Sequence, residues 1–119
     1  LTVVVNDLDS RMGQVIISVF NDSASFLENP LLRLTKKVDT SDSLTFTFSN
    51  LARGRYSISA FCDLNSDGEL NTNFIGIPIE PVGFSNNAKG SFGPPSFADS
   101  SFEFYKKKTV YIDLVAIID

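Results

Sequence analysis

The sequence contains no histidine and a single cysteine among its 119 residues. Without histidine the chain cannot build Ser-His-Asp or Cys-His nucleophile systems or histidine general bases. Almost all catalytic zinc sites are excluded as well, because they use histidine ligands. A single cysteine, Cys62, excludes an intrachain disulfide and a thiolate cluster. Because Cys62 stands in an apolar alternating run, we expect a small buried core residue rather than a reactive thiol.

Positive charge and long apolar runs are also scarce. The chain has 10 lysines and arginines against 14 acidic residues, and its basic cluster is Lys106, Lys107 and Lys108. Because nucleic-acid backbones are bound by broad positive faces, we expect no nucleic-acid partner. The lysine run could contact an anionic surface, but we interpret it as the solvated entrance to the following strand. No stretch approaches the roughly 20 apolar residues that span a bilayer, so we expect no membrane-spanning segment.

Apolar residues recur with a period of two along much of the chain, which is typical of strands with one buried face. The pattern predicts strands at 1–6, 14–20, 43–48, 55–63 and 109–118, with a weaker candidate at 31–34. We expect the first two strands to pair, strands 43–48 and 55–63 to form a hairpin through Gly54, and the last strand to lie centrally in a sheet. The chain 1–119 is therefore predicted to be all-β, one antiparallel β-sandwich domain with a Greek-key or prealbumin-like order of about seven strands.

Between residues 64 and 101 the alternation disappears. This segment carries four of the five prolines, together with many glycines, asparagines and serines. Loops of this length are uncommon in a compact domain unless they are functional or disordered. Disordered chains are poor in aromatic residues, whereas this segment contains Phe74, Phe84, Phe92 and Phe97. We therefore expect one long ordered loop, pinned to the sandwich by its phenylalanines.

The sharpest chemical signal is the run Asp-Leu-Asn-Ser-Asp-Gly-Glu-Leu-Asn at 63–71. Oxygen-bearing side chains at alternate positions, with a glycine after the third, have the spacing of a calcium loop. The candidate ligands are Asp63, Asn65, Asp67, Glu69 through its carbonyl, and Asn71. The sequence thus indicates calcium as a cofactor.

This loop departs from the EF-hand pattern. Phe74 stands at the twelfth position, where an EF-hand places a bidentate carboxylate, and a strand rather than a helix precedes Asp63. Because calcium takes six to eight oxygens, a distant group must complete the shell; Glu80 is the first candidate and Asp99 the second. Because the loop contains only two aspartates, we expect weak calcium binding rather than the tight binding of a calcium-buffering protein. The alternative is a metal-free turn, since Asp, Asn and Gly form turns whatever the solution contains.

Two further roles for these segments stay open. Phe84, Asn86, Asn87 and Phe97 would form an aromatic and amide surface for a glycan, a peptide or an envelope protein. The competing interpretation places the phenylalanines inward and uses the amides to satisfy loop backbone groups.

A carboxylate-based hydrolase is the other role, because that chemistry requires two acids at a set separation. Its candidate acids are Asp63, Asp67, Glu69, Glu80 and Asp99. Since most acidic clusters are ligands or solvated faces, we favour a non-catalytic protein.

Five short blocks follow one another between residues 44 and 104: GRY at 54–56, DLNSDGEL at 63–70, GIPIE at 76–80, GFSNN at 83–87 and PPSF at 94–97. In order and spacing they resemble a bacterial family of small secreted or envelope-associated domains of unknown function. The resemblance implies a bacterial origin, export to the periplasm, the cell envelope or the exterior, and no established activity. The chain opens in an apolar alternation without an initiator methionine, as expected for a trimmed or mature chain.

The GRY hairpin followed by the Asp-Asn-Asp loop also looks like the prealbumin-like sandwiches of Cna-B-type and carboxypeptidase-regulatory domains. That resemblance implies a structural or adhesive module. We therefore expect an exported, non-catalytic structural or binding module, in which calcium at the loop 63–71 and the long loop 64–101 order each other.

Overall fold

The structure is a computed structural model that describes residues 1–8, 13–73, 75–90 and 93–116. Eight strands lie within these ranges: β1 Thr2–Asn6, β2 Gln14–Phe20, β3 Leu32–Lys37, β4 Leu44–Thr47, β5 Gly54–Asp63, β6 Val82–Phe84, β7 Ser101–Phe104 and β8 Thr109–Asp113. A short 3-10 helix, Ser85–Asn87, follows β6, and a single-turn helix α1, Phe97–Ser100, precedes β7. In these ranges no helix has the length and apolar character needed to cross a membrane.

The strands form two sheets that enclose the core between them. The smaller sheet has the order β4-β1-β8, and the larger has the order β3-β2-β5-β6, with β7 also paired to β5. This confirms the predicted all-β sandwich. One pair departs from the antiparallel expectation: β1 and β8 are parallel, because the chain crosses from the larger sheet to the smaller one before β8.

Three predicted strand relationships are wrong. β1 and β2 lie in different sheets, and so do β4 and β5. The positive φ in the turn between β4 and β5 belongs to Asn50, at 61°, rather than to Gly54. β8 lies at an end of the smaller sheet, next to β1 alone. After β8 the chain leaves β1, and Val115 pairs with Val82 of β6 through backbone bonds of 2.8 and 3.0 Å. The predicted strand residues 117 and 118 lie outside the described ranges.

The core is built from the inward-facing residues of both sheets. Fully buried valines and isoleucines from β1, β2, β5 and β8 meet phenylalanines from β4 and β7. Cys62 belongs to this core with 0% exposure, which confirms its predicted burial. Gly83 allows β6 to approach β8, because a Cβ there would lie 2.6 Å from Cγ2 of Ile112 and 2.9 Å from the carbonyl oxygen of Asp113.

The long segment folds over the outer face of the larger sheet, and it contains β6, the 3-10 helix and α1, which the sequence pattern did not predict. Aromatic packing secures one of its ends. The ring of Phe97 lies 5.9 Å from that of Phe26, which lies 5.4 Å from that of Phe20 on β2. The predicted anchoring role is therefore confirmed for Phe97, while Phe74 and Phe92 lie outside the described residues.

Candidate functional site

Asp63 organises the loop 63–71 from the end of β5. It is fully buried and lies opposite Gln14 of β2. Its Oδ2 accepts hydrogen bonds from Gln14 Nε2 and from the Gly68 amide, each at 2.8 Å, and its Oδ1 accepts one from the Asp67 amide at 3.3 Å. Asn65 Oδ1 lies 3.4 Å from the same Asp67 nitrogen. The side-chain oxygens of the first and third loop positions thus converge on one point.

Asp67 occupies the fifth position and is exposed. Its Oδ1 accepts a hydrogen bond from the Glu69 amide at 3.0 Å, and its Oδ2 accepts one from Asn71 Nδ2 at 2.9 Å. The Glu69 amide, followed by the Asn71 side chain, holds the pKa of Asp67 below the usual value of 3.8. Both carboxylate oxygens of Asp67 therefore already accept hydrogen bonds within the loop, and a metal would have to share or displace them.

Glu80 closes the loop. It is only 3% exposed; its Oε2 accepts a hydrogen bond from the Leu64 amide at 2.7 Å, and its Oε1 accepts one from the Asn71 amide at 2.8 Å. The structure therefore brings Glu80 to both ends of the loop. Asp99 lies instead in α1, where its amide donates to Ser96 Oγ and its carbonyl accepts from Asn86.

The loop offers hard oxygen ligands of the type that calcium prefers. Among the described residues, however, no three acidic or cysteine side chains are grouped in an arrangement ready to hold a metal. The oxygens of Asp63 and Glu80 already accept bonds from N–H donors. A calcium ion would therefore have to share or displace these contacts, and water would have to complete its shell.

Asn86 and Asn87 serve as connectors between strands. Both have positive φ, 63° and 48°, a conformation that asparagine tolerates better than most residues. Asn86 Nδ2 donates to the carbonyls of Asp99 and Ser101 at 3.2 and 2.8 Å. Asn87 Nδ2 donates to Asp113 Oδ2 at 3.2 Å, while its Oδ1 accepts from the Asp113 amide at 3.0 Å. Both amides thus tie this turn to its neighbours.

An open cleft of about 1330 Å³ lies on the outer face of the larger sheet. Side chains of β2, β5 and β6 line it, including Phe20, Phe61, Val82 and Phe84. The lining continues onto residues within 68–78, which we call the first wall, and within 87–95, which we call the second wall. Most lining side chains are apolar. Of the predicted ligand residues, the cleft includes Phe84 and Asn87 but not Asn86 or Phe97.

One hydrogen bond links the first wall to the edge of the sheet. Arg33 of β3 donates from Nη2 to the carbonyl of Gly68 at 2.6 Å. Ile75, in the same wall, is 64% exposed and lines the cleft. The cleft therefore presents an accessible apolar surface whose rim is fixed by an arginine.

A family model described as an uncharacterized protein conserved in bacteria, DUF2141, matches residues 3–112. The chain belongs to the DUF2141 family. The match extends from β1 into β8, so it includes the loop 63–71, the two asparagines and the cleft-lining strands. No curated protein and no solved structure matches this DUF2141 chain.

Sequence reasoning missed a buried serine network in the DUF2141 chain. Ser57, Ser85 and Ser100 are each 0% exposed. The Ser57 and Ser100 hydroxyl oxygens lie 2.6 Å apart, and Ser85 Oγ accepts from the Ile58 amide at 2.9 Å and donates to the Ser100 carbonyl. Ser85 stands in the GFSNN block, which was the available signal. All three hydroxyl groups are hydrogen-bonded within the protein. Their bonds join β5, the 3-10 helix and α1.

Proposed function

We propose that this DUF2141 chain is a non-catalytic binding module that holds an extended apolar peptide segment in the cleft. The observation that carries the proposal is the apolar lining of a cleft of about 1330 Å³. Small-molecule sites usually measure about 300–1,000 Å³. The larger, open shape favours a chain-like ligand over a compact one.

The state of the amides favours a peptide over a sugar. Sugar hydroxyls require several polar partners, yet the side-chain amides of Asn86 and Asn87 are already bonded to the protein. Phenylalanine, proline and isoleucine side chains suit apolar peptide residues better. The carboxyl oxygens of Asp63 and Glu80 likewise accept hydrogen bonds within the loop, which supports a binding role over hydrolysis.

Two isoleucines of the long segment provide a matched test of this proposal. Ile75 lines the cleft and is 64% exposed, whereas Ile79 is 50% exposed and does not line it. Peptides selected from a displayed random library should bind wild-type protein. Ile75→Asp should weaken binding at least tenfold, because it places a carboxylate on the apolar wall, and Ile79→Asp should leave the affinity within about twofold.

Isothermal titration calorimetry with the selected peptides measures both variants. Equal losses in the two variants, or a library that yields no binder, would contradict the peptide proposal. Binding on a glycan array that is lost in Phe84→Ala would support a carbohydrate ligand instead.

The spacing of hard oxygen groups in the loop 63–71 supports a second element, calcium stabilisation of this loop, in which the ion displaces the Asp67 amide that now lies between Asp63 Oδ1 and Asn65 Oδ1. Two aspartates make a weak site, in the millimolar range typical of extracellular calcium modules. This affinity suits a module that works outside the cytoplasm, and we propose that location for this protein.

Thermal unfolding of chelator-treated protein tests the ion. Millimolar calcium should raise the melting temperature of the wild type by a few degrees, because a ligand that binds the folded state stabilises it. Asp67→Ala should abolish this shift, since Asp67 is exposed and its loss should disturb the metal-free fold little. Asp39→Ala, another exposed aspartate, should retain the full shift. An unchanged melting temperature in the wild type would remove calcium from the proposal.

A further inference from the structure

A cluster of positive charge with an exposed aromatic ring lies where β5 begins and β7 ends. It consists of Arg53, Tyr105, Lys106, Lys107 and Lys108, and we call it the basic patch. All five residues are exposed, and Tyr105 retains 61% of its surface. The patch holds four of the 10 lysines and arginines in a chain of net charge −4. Positive charge is therefore concentrated at one place on an otherwise acidic protein.

These charges are not neutralised locally. The flanking sequence 49–55 and 102–109 contains one acidic residue, Glu103. Its Oε1 lies 2.8 Å from Nη2 of Arg55, outside the patch. In the part of the chain that the structure describes, none of the three patch lysines forms an ion pair. Their charge is thus available to an external anion.

The two turns that carry the patch are held in place. The Arg53 guanidinium lies 4.8 Å from the centre of the Tyr105 ring, which joins one turn to the other. Tyr56 donates from its hydroxyl to the Ala52 carbonyl at 2.5 Å, and the Thr2 amide donates to the Lys108 carbonyl at 3.0 Å. Because these contacts exist before a partner arrives, binding would cost little ordering of the backbone.

We propose that the basic patch docks this domain on a membrane surface rich in anionic phospholipid. Lysines near such a surface each contribute favourable electrostatic energy, and a tyrosine ring suits the boundary between headgroups and acyl chains. Tyr105, Lys106 and Lys107 lie on an exposed turn outside the cleft, a placement that suits contact with a flat surface. Repulsion of the remaining acidic surface orients the domain with the patch toward the lipid.

Vesicle co-sedimentation tests the proposal. The full chain should pellet with vesicles of phosphatidylcholine containing phosphatidylglycerol, but not with phosphatidylcholine alone, and added salt should reduce binding. Lys106→Glu/Lys107→Glu should weaken partitioning about 25-fold or more, at about fivefold or more per lysine. Lys36→Glu/Lys37→Glu makes the same change in net charge on β3, outside the basic patch and the cleft, and should have a much smaller effect. Tyr105→Ala should weaken partitioning several-fold without altering the charge.

Circular dichroism confirms that each variant is folded before comparison. Equal losses in the two lysine pairs, or no binding by the wild type to anionic vesicles, would overturn the proposal. If the protein binds soluble heparin as tightly as it binds the anionic vesicles, and Tyr105→Ala does not change the heparin affinity, the partner would be an anionic polysaccharide and the membrane proposal would be overturned. These outcomes are independent of peptide binding in the cleft.

Discussion

Replacing Gly13 with alanine should destabilise the protein by about 4 kcal/mol, a large share of the 5–15 kcal/mol that stabilises a typical domain. Gly13 has a φ of 90°, and a Cβ there would lie 2.0 Å from the carbonyl oxygen of Asp63 and 2.8 Å from that of Leu64. The substitution therefore combines backbone strain with overlap against main-chain atoms that cannot rotate away. Urea unfolding measures the change.

Gly76 separates these two contributions. Its φ of 85° is similar, but among the described residues a Cβ there would have no neighbour within 4 Å. Gly76→Ala should therefore cost only about 1 kcal/mol, from the strained φ alone. If both substitutions cost the same, contact between Gly13 and the end of β5 would not explain the effect.

Asp63→Ala should destabilise the metal-free protein by about 3 kcal/mol in the same urea experiment. The fully buried carboxyl group accepts hydrogen bonds from the Gln14 side chain and from the amides of Gly68 and Asp67, and its loss leaves those donors without this acceptor. Amide exchange in the loop should accelerate, because the loop would lose its central contact.

Two further variants test whether the loss of stability in Asp63→Ala comes from its buried carboxyl group. Asp63→Asn retains one side-chain oxygen and should fall between the wild type and Asp63→Ala. Asp39→Ala removes an exposed aspartate that accepts a bond from the Ser41 amide, and it should leave the free energy of unfolding close to that of the wild type. A loss in Asp39→Ala as large as in Asp63→Ala would mean that burial of the Asp63 carboxyl group is not what stabilises the loop.

Local alternation predicted individual strands well, because it records which residues face the core. β2 has the predicted bounds, Gln14–Phe20, and β5 begins one residue before the predicted start. The weak prediction near β3 also has a physical cause, since all six residues of that edge strand are exposed. The pairing of the strands was predicted wrongly, because a strand with alternating apolar residues can bury its apolar face in either sheet.

In the candidate site, too, the features carried by neighbouring residues were predicted, whereas those that join distant residues were not. Asp63, Asn65 and Asp67 could be named as candidates because the ligand spacing of a loop lies in consecutive residues, and Glu80, the next acidic residue, does contact both ends of that loop. The Ser57–Ser100 contact spans 43 positions, so no local pattern encodes it. The cleft was missed for a similar reason, because its lining joins the outer face of a sheet to distant parts of the long segment.

The buried serine network makes the two walls of the cleft mechanically unequal. The second wall lies between Ser85 and Ser100, whose fully buried hydroxyls bond across three elements, and it includes the buried Pro95. In the first wall, none of the described residues between 68 and 78 is buried. We expect amide protons of the first wall to exchange by local opening, and those around Ser85 to exchange through near-global unfolding. We therefore expect a cleft with one side held through Ser85 and Ser100 and the other held to the sheet at Gly68 by Arg33, and a bulky guest should gain access by displacing the described residues of the first wall.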